Sequence, residues 1–378
     1  MSANIRLLQI IPSMDIGGAE TGCLHVAEGV SKSGGFSAIL TTGGKLLDLL
    51  DNTKIKVIKW PINKNIFFIL FNIFYIFFLI KLNKINIVHA RSRAPAWSAY
   101  FATKLARVKF VTTFHGTYNF NSKLKKFYNS IMLKSDHVIA GSEFILNHIH
   151  SKYSISTKSS VVKRGIDEKY FSVGNVSEED KKKLYDSLKI DRNKFLILLP
   201  GRLTYWKGQK LFIEAINILN KKNNINNVLG LIIGGHQGRI NYKEELAQMI
   251  KDYNLEDKLF IAHGLNKMPV AYAISSLVVS CSIEPESFGR VSVEAQSMER
   301  PILASAIGGS LETVINNKTG WLFESNKPED LADKLQMIIN SDKEVLNAIG
   351  RQGRKNVKEN YTRKLMVSRT LEIYNSLV

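Results

Sequence analysis

The sequence predicts an α/β protein with two doubly wound domains in tandem, and three observations support that prediction. The chain has 378 residues, more than a single hydrophobic core usually organises. Short apolar runs alternate with longer helical patterns, which is typical of parallel sheets covered by helices on both faces. One polar stretch, residues 173–192, interrupts this alternation. We therefore expect a first domain over residues 1–172, a second over 190–360, and a C-terminal helix over 361–378 that is free to pack back on the first domain.

Each strand is predicted from a short apolar run, and each helix from apolar residues at helical spacing. The predicted strands of the first domain are 5–11, 36–41, 55–58, 85–90, 109–114, 137–140 and 160–163, and its helices are 20–33, 66–82, 94–107, 122–134 and 143–152. The second domain has predicted strands at 195–200, 229–234, 258–262, 277–280, 302–305 and 321–323, with helices near 208–222, 241–253, 288–299, 328–340, 342–359 and 363–377. Ligands of such sheets bind beyond the carboxyl ends of the strands, so a site shared by two facing sheets is expected in the cleft between them.

The formal charge of +19 is distributed unevenly along the chain. Residues 1–165 carry 22 Lys and Arg against 7 Asp and Glu, whereas residues 166–378 carry 30 against 26. The first half is therefore expected to face an anionic partner such as a phosphorylated membrane surface, a phosphorylated glycan or nucleic acid. A genome rich in lysine codons is the alternative, but it does not explain why one half has so few carboxylates.

The cysteine content and the first apolar run favour a cytoplasmic protein. Cys23 and Cys281 are far apart in sequence and form neither a disulfide framework nor a metal-ligand spacing. The run at 7–11 is too short for the core of a signal peptide. We therefore expect a reducing compartment and no metal site.

Residues 66–80 form an unusually apolar segment, IFFILFNIFYIFFLI. As a helix it would be about 22 Å long, shorter than the roughly 30 Å hydrocarbon core, so we expect that it does not span a membrane. Lys59 and Lys64 precede it, and Lys81 and Lys84 follow it. One face could pack on the first domain while the other enters lipid. Burial under a partner subunit is the alternative.

A second stretch that could meet anionic headgroups or an anionic acceptor is 118–134, where aromatic residues alternate with Lys123, Lys125 and Lys126. An ordinary solvated amphipathic helix is the other interpretation.

Two loops contain residues suited to phosphate. Gly17 and Gly18 lie between the first strand and the first helix, where glycine allows close approach and the helix offers free N–H groups, although glycines there can also be purely steric. Arg202 and Lys207 follow a strongly apolar strand, where a guanidinium and an ammonium can clamp neighbouring phosphates. A solvated basic turn is the alternative for the second loop.

The third candidate is the segment 284–294, in which Glu286 and Glu294 enclose Ser287, Phe288 and Gly289. If a helix begins near residue 288, Glu286 lies at its mouth and Glu294 almost two turns inside. Carboxylates at two depths could bind hydroxyls at two ends of an elongated ligand, with backbone N–H groups between them. Glu294 could instead face water, but its apolar neighbours indicate a buried carboxylate, which needs partners.

These motifs together resemble the family 4 retaining glycosyltransferases, in the order that the family has them. The resemblance covers nearly the whole chain and includes the E-x7-E element, GRL and KG, the GGAE loop, GGSLET at 308–313 and TGWL at 319–322. It implies the GT-B fold, in which two Rossmann-like doubly wound domains face a central cleft. The segments 89–98, 113–116 and 163–167 resemble a bacterial subgroup that includes lipopolysaccharide-core transferases.

The resemblance also implies residue roles. Arg202 and Lys207 would hold the donor diphosphate, Glu294 the ribose, and Glu286 with the Phe288 and Gly289 amides the donor sugar. Ser287 belongs to the same donor-binding loop. Gly17 and Gly18 would let the first loop approach the phosphate. His115 would lie near the reacting carbon, although a histidine at the end of an apolar strand can equally be a satisfied packing residue.

The resemblance is imperfect at two positions. Arg164 stands where many members have Asn, and Glu299 stands where Gly is usual.

The activity implied is transfer of a hexose from a UDP- or GDP-linked donor to a lipid-linked or lipopolysaccharide glycan, with retention at the anomeric carbon. The Arg and Lys pair and a helix N-terminus would replace a divalent metal, and Glu286 would position the sugar without acting as a nucleophile. The protein is expected on the inner face of the cytoplasmic membrane. Two alternatives are a nucleotide-sugar epimerase of the same fold and a nucleic-acid-binding or nucleic-acid-glycosylating protein, against which the apolar helix argues.

Overall fold

The computed structural model describes residues 5–15, 17–50, 55–62, 65–118, 122–153, 157–223, 225–262, 264–265 and 267–378. Lys64 and residues 119–121, which belong to the two segments expected at the membrane, lie outside these ranges. The chain forms two compact units: Met1–Gly165 with Arg363–Val378, and Ile166–Thr362. The second unit thus begins at Ile166, whose N–H donates to the carbonyl of Tyr361 over 2.9 Å.

The first unit is a parallel sheet with helices between its strands. Its strands are β1 (Arg6–Ile10), β2 (Phe36–Thr41), β3 (Ile55–Lys59), β4 (Ile87–Ala90), β5 (Lys109–Phe114), β6 (His137–Ala140) and β7 (Lys158–Val161). Its first helices are α1 (Gly18–Lys32), α2 (Ile66–Leu82), α3 (Arg93–Ala106), α4 (Lys123–Ser130) and α5 (Glu143–Lys152). The strand order is β3-β2-β1-β4-β5-β6-β7. Successive strands are added on one side of β1 up to β3 and on its other side from β4 onward, and sheets of this kind bind ligands at such a switch point.

The second unit repeats this arrangement with six strands. They are β8 (Phe195–Pro200), β9 (Val228–Ile233), β10 (Leu259–Ala262), β11 (Leu277–Ser280), β12 (Ile302–Ser305) and β13 (Trp321–Phe323). Its helices are α6 (Glu178–Leu188), α7 (Gln209–Asn223), α8 (Ile240–Asp252), α9 (Met268–Ile274), α10 (Arg290–Ser297), α11 (Ser310–Thr313), α12 (Pro328–Ile339) and α13 (Lys343–Asn360). The order β10-β9-β8-β11-β12-β13 places the switch point between β8 and β11.

The predicted strands are confirmed to within two residues, whereas α6, α9 and α11 were not predicted. The stretch 173–192, expected only to interrupt the alternation, contains α6. The Ser177 hydroxyl accepts the Asp180 N–H over 3.0 Å, and Glu178, Glu179 and Asp180 occupy the first turn. An N-cap serine followed by carboxylates stabilises a helix start, so a polar segment becomes helical here without a wide apolar face.

The last helix, α14 (Arg363–Asn375), belongs to the first unit. It covers a small apolar cluster that includes Val26 and Ile139, and its Tyr374 is fully buried there. The Tyr374 hydroxyl lies 2.5 Å from Nδ1 of His89 in β4. The C-terminal helix therefore supports the same sheet edge that carries the candidate site of the first unit.

The apolar helix α2 has one buried face and one exposed face. Asn72, the polar residue within the apolar run, is buried, accepts Nε1–H of Trp60 over 2.8 Å and donates to the Pro61 carbonyl over 3.2 Å. Phe67 and Phe74 on the opposite side are 76% and 70% exposed. Within the described ranges, no helix is both long and apolar enough to traverse a bilayer.

Candidate functional site

The loops after β8 and β11 bring Lys207 and Glu286 together. Lys207 Nζ lies 2.7 Å from Oε1 of Glu286, and the Ser282 hydroxyl donates to the same oxygen. Each of the two charged side chains is only 12% exposed. A charged pair so shielded from water depends on its partner, because either ion alone would lose hydration without compensation.

Close backbone contacts hold these two loops in place. Gly208 has a φ of +69°, and a Cβ there would lie 1.9 Å from the Cys281 carbonyl oxygen. The N–H of Ile283 donates to the Trp206 carbonyl over 2.9 Å. The KG dipeptide identified in the sequence is therefore required for steric reasons: only glycine lets the Lys207 loop lie against the end of β11.

Arg202 and Lys207 both lie near the indole of Trp206. The Arg202 guanidinium carbon is 5.9 Å from a Trp206 ring centroid and Lys207 Nζ is 4.4 Å away, within the range of cation–π attraction. The Arg202 side chain is exposed, and its carbonyl accepts Nε2–H of Gln209 over 2.9 Å. Two cations thus lie at the carboxyl end of β8, as a diphosphate clamp requires.

Helix α10 begins at Arg290, two residues later than predicted, with Gly289 at its N-cap and a φ of +76°. The N–H of Gly309 donates to the Glu286 carbonyl over 2.7 Å, and a Cβ on Gly309 would lie 2.5 Å from Phe288 Cα. Phe288 is buried, and the half-buried Ser287 precedes it. The close contacts of Gly309 therefore hold the 286–289 loop in place. The start of α10 presents N–H groups to an anion or hydroxyl.

Glu294 is buried, at 8% exposure, inside α10. Its Oε2 accepts the Tyr272 hydroxyl over 2.8 Å and its Oε1 accepts Nε–H of Arg290 over 2.5 Å. Burial, and then the nearby carboxylate, raises the pKa of Tyr272 well above its ordinary value, and Glu294 also raises the pKa of Arg290. Each carboxylate oxygen has a second lone pair, so Glu294 can still accept a ligand hydroxyl.

The predicted site residues of the first unit lie near one another. Gly17 is the N-cap of α1, and a Cβ on Gly18 would lie 2.6 Å from Nη1 of Arg164. Nη2 of Arg164 lies 2.9 Å from Nδ1 of His115 and also donates to the His115 carbonyl over 3.1 Å. Arg164, the residue that departs from the family pattern, therefore contacts the predicted His115 directly.

The hydrogen bond from Arg164 determines the tautomer of His115. A guanidinium only donates, so Nδ1 must be the accepting nitrogen and the ring proton is on Nε2. Burial, followed by the charge of Arg164, holds the pKa of His115 well below its ordinary value. Nε2 is buried and makes no hydrogen bond to any residue that the structure describes. A merely packing histidine would have both nitrogens satisfied, so His115 retains one donor for a ligand.

Three further residues hold these groups, and none was singled out from the sequence: Ser282, Tyr272 and Arg290. The pair Arg290 and Glu294 has the i, i+4 spacing that sequence analysis can recognise. Tyr272 lies 22 positions before its partner on an unpredicted helix, so no local pattern indicates it.

Comparison with known proteins gives consistent matches over most of the chain. The family model described as "Glycosyl transferases group 1" matches residues 180–356, and the one described as "Glycosyltransferase Family 4" matches residues 16–170. A crystal structure of a glycosyltransferase from Rickettsia africae ESF-5 is 36% identical, covers 99% of each chain and has a TM-score of 0.90.

Two other relatives are more distant. The capsular polysaccharide biosynthesis glycosyltransferase CapM of Staphylococcus aureus is 27% identical over 57% of this chain, and the match spans 53% of CapM, about half of its length. The crystal structure of Anabaena HepE in complex with UDP and glucose is 22% identical, covers 99% of this chain and 100% of HepE, and has a TM-score of 0.84, a likeness of fold.

Proposed function

The chain belongs to the family 4 glycosyltransferases, and from this premise we propose that it transfers a hexose from a UDP- or GDP-linked donor to a glycan acceptor at a membrane. Its two parallel sheets confirm the predicted GT-B fold class. The proposed acceptor is a cell-envelope glycan, either lipopolysaccharide core or a related polysaccharide. The envelope role of the relative CapM and the N-terminal motifs support that choice.

The observation that carries the donor proposal is the cluster of Arg202, Lys207 and Glu286 beside the start of α10. The donor diphosphate accepts hydrogen bonds from the two cations, and the α10 N–H groups add to its stabilisation. Glu286, already oriented by Lys207 and Ser282, accepts a hydroxyl of the sugar. Glu294, held by Tyr272 and Arg290, accepts a ribose hydroxyl.

Retention at the anomeric carbon follows if bond making and bond breaking occur on one face of the sugar. The bond between the anomeric carbon and the β-phosphate oxygen breaks, and the diphosphate leaves with the electron pair. The acceptor hydroxyl oxygen forms the new bond, and its proton passes to an oxygen of the leaving phosphate. Arg202 and Lys207 stabilise the charge that develops on that phosphate, so the proposed reaction needs no protein nucleophile and no divalent metal.

An apolar surface on the first unit supports the membrane proposal. It comprises exposed side chains of three helices: Phe67, Leu70, Phe71, Phe74 and Phe78 of α2, Phe101 and Leu105 of α3, and Leu124 and Phe127 of α4. Trp97 links the α3 and α4 parts of this surface, since its ring lies 6.5 Å from that of Phe101 and 5.3 Å from that of Phe127. Exposed lysines at 123, 125 and 126 adjoin this apolar surface. Apolar side chains beside lysines suit an anionic lipid interface.

A screen of nucleotide sugars tests the donor proposal. A ligand that binds the native state raises the unfolding temperature in proportion to ln(1 + [L]/Kd), so one UDP- or GDP-hexose should stabilise the protein most. Incubating that sugar without acceptor distinguishes the alternatives, because an epimerase would produce an epimer and a transferase would not. Stabilisation by no nucleotide sugar, or epimer formation, would reject the transferase assignment.

Co-sedimentation with anionic liposomes tests the membrane proposal. The double variant Phe67→Ser, Phe74→Ser removes two of the most exposed rings of the apolar surface and should bind liposomes at least about tenfold more weakly, since each ring contributes about 1.5–3 kcal/mol when buried. Val345→Ser, on α13 of the second unit, removes an exposed apolar side chain elsewhere and should bind normally. Equal binding by all three proteins would rule out the apolar surface as the contact.

A further inference from the structure

Arg91 is a buried cation whose guanidinium is bonded to a neutral side-chain amide. It follows β4, is 6% exposed, and donates from Nε to Oε1 of Gln9 over 2.7 Å. Gln9 is itself fixed, because its amide nitrogen donates to the Cys23 carbonyl over 2.9 Å. Among the described residues, the buried Nη2 of Arg91 has no hydrogen-bond partner, and no carboxylate forms an ion pair with this side chain. Such a cation is costly unless an anion from elsewhere neutralises it.

Arg91 lines a small pocket at the carboxyl edge of the first sheet. His115 follows β5, Gly141 follows β6 and Arg164 follows β7, and Gly18 opens α1 on the same side. Among the described residues that line this pocket there are two arginines and no aspartate or glutamate. Because the pocket lies beside the β1/β4 switch point, it occupies the part of the sheet where ligands bind.

His115 adds an uncharged donor to the two guanidinium groups. Since Arg164 occupies Nδ1, the proton lies on the buried Nε2, which has no partner in the described part of the chain. Burial and the neighbouring guanidinium keep the pKa of His115 well below its ordinary value, so this donor persists at neutral and mildly acidic pH. Two buried donor atoms, Arg91 Nη2 and His115 Nε2, therefore await an acceptor at one pocket.

Glycines allow the backbone to lie directly against Arg164. A Cβ on Gly18 would be 2.6 Å from Nη1, and one on Gly141 would be 3.3 Å from Nε. The first separation is shorter than side chains tolerate, so a side chain at position 18 would displace the Arg164 guanidinium from its present position. The same glycine begins α1, whose first N–H groups favour a negative charge.

We propose that this pocket binds a phosphate group carried by the acceptor. A phosphate monoester has three terminal oxygens and up to two negative charges, which matches two guanidinium groups and an imidazole N–H better than a planar carboxylate does. The proposal rests on the proposed function, in which Arg202 and Lys207 of the second unit hold the donor diphosphate.

Inorganic phosphate, titrated in the presence of saturating UDP, tests the proposal in the full chain. UDP occupies the donor site, so any further rise in unfolding temperature with phosphate, relative to sodium chloride of equal ionic strength, reports a second site. The variants are Arg91→Gln and Arg164→Gln. Arg6→Gln is the matched control, because Arg6 begins β1 and so lies at the amino end of the strands, opposite the pocket.

Wild type and Arg6→Gln should show the phosphate-dependent shift. Arg91→Gln and Arg164→Gln should lose it, with at least a tenfold weaker phosphate affinity, while binding UDP as wild type does. Loss of UDP binding in these variants would overturn the proposal by assigning the pocket to the donor. An unchanged phosphate shift would also overturn it. Failure of wild type to bind UDP would instead contradict the proposed function.

A spectroscopic measurement keeps the proposal testable if Arg91→Gln does not fold. In wild-type protein saturated with UDP, phosphate should shift the nitrogen-15 and proton resonances of His115 Nε2–H, and the Nδ1 resonance should stay that of an unprotonated nitrogen. In Arg164→Gln the Nε2–H resonance should no longer respond. A wild-type His115 that does not respond to phosphate would refute the site.

Discussion

The ion pair between Lys207 and Glu286 makes a quantitative prediction about both stability and donor binding. The perturbations are Lys207→Met, which keeps most of the side-chain volume without the charge, and Glu286→Gln, which keeps the shape of the carboxylate. The double variant completes a thermodynamic cycle. Because Lys207 Nζ lies 2.7 Å from Oε1 of Glu286, the effects of the two single substitutions on the free energy of unfolding should not be additive.

The expected magnitudes follow from burial. A hydrogen bond to a charged group contributes about 1.5–3 kcal/mol, and breaking a fully buried pair costs about 3–5 kcal/mol because a lone charge remains. Here each side chain is 12% exposed and Ser282 still donates to Glu286, so Lys207→Met should cost about 2–4 kcal/mol. The double variant should lose about 2 kcal/mol less free energy of unfolding than the sum of the losses in the two single variants.

Urea denaturation of the four proteins measures the coupling, and UDP titration measures the effect on binding. Lys207→Met should also weaken UDP binding by about 10- to 100-fold, since each tenfold change corresponds to about 1.4 kcal/mol. The pair Lys222 and Asp333 is a matched control: its atoms are 2.9 Å apart, but the side chains are 52% and 65% exposed, so its coupling should not exceed about 1 kcal/mol. Additivity within about 0.5 kcal/mol for Lys207 and Glu286 would refute this reasoning.

Three further predictions concern sterics, pH and metal. Gly208→Ala should destabilise the protein by at least about 2 kcal/mol, because its Cβ would lie 1.9 Å from the Cys281 oxygen at a φ of +69°, whereas Gly235→Ala, with open space around its Cβ, should cost less than about 1 kcal/mol in the same thermal denaturation. The pKa of His115 is held below its ordinary value of 6.5, so only the unfolded chain takes up this proton and the free energy of unfolding should fall as pH decreases from about 6.5 to 5. The share of His115 is at most about 1.4 kcal/mol per pH unit, and His115→Gln should remove it. Donor binding measured by calorimetry should be unchanged by EDTA if, as proposed, cationic side chains and a helix N-terminus neutralise the diphosphate; a loss of binding restored by Mg²⁺ would contradict this.

Much of the fold could be predicted because buried parallel strands are short apolar runs, and such runs are legible without tertiary information. The helices that were not predicted lack a comparably clear apolar pattern. In α6 the determinants are a capping serine and acidic residues in the first turn, and in α9 seven mostly buried apolar residues show no amphipathic period. Apolar periodicity therefore locates half-exposed helices well and misses those that are nearly all polar or nearly all buried.

The candidate site was predictable only where its residues are close in sequence. The E-x7-E element and the KG dipeptide are local patterns. The structure explains both, because Glu286 of the first pairs with Lys207 of the second, and Gly208 lets the Lys207 loop pack closely. Contacts such as Arg164 with His115, 49 positions apart, arise from the order of strands in the sheet. Arg164 could be noticed as a departure from the family pattern, but its contact with the imidazole required three-dimensional structure.

The central claim is that the carboxyl end of β8 holds the diphosphate of a nucleotide sugar, and calorimetric titration with UDP and GDP tests it most directly. Arg202 follows the carboxyl end of β8, whereas the exposed Arg192 precedes its amino end. Arg202→Ala and Arg192→Ala therefore form a matched pair. The account predicts that one of the two nucleotides binds wild type and Arg192→Ala equally and binds Arg202→Ala at least about tenfold more weakly. Equal binding to all three proteins, or no binding of either nucleotide, would contradict it.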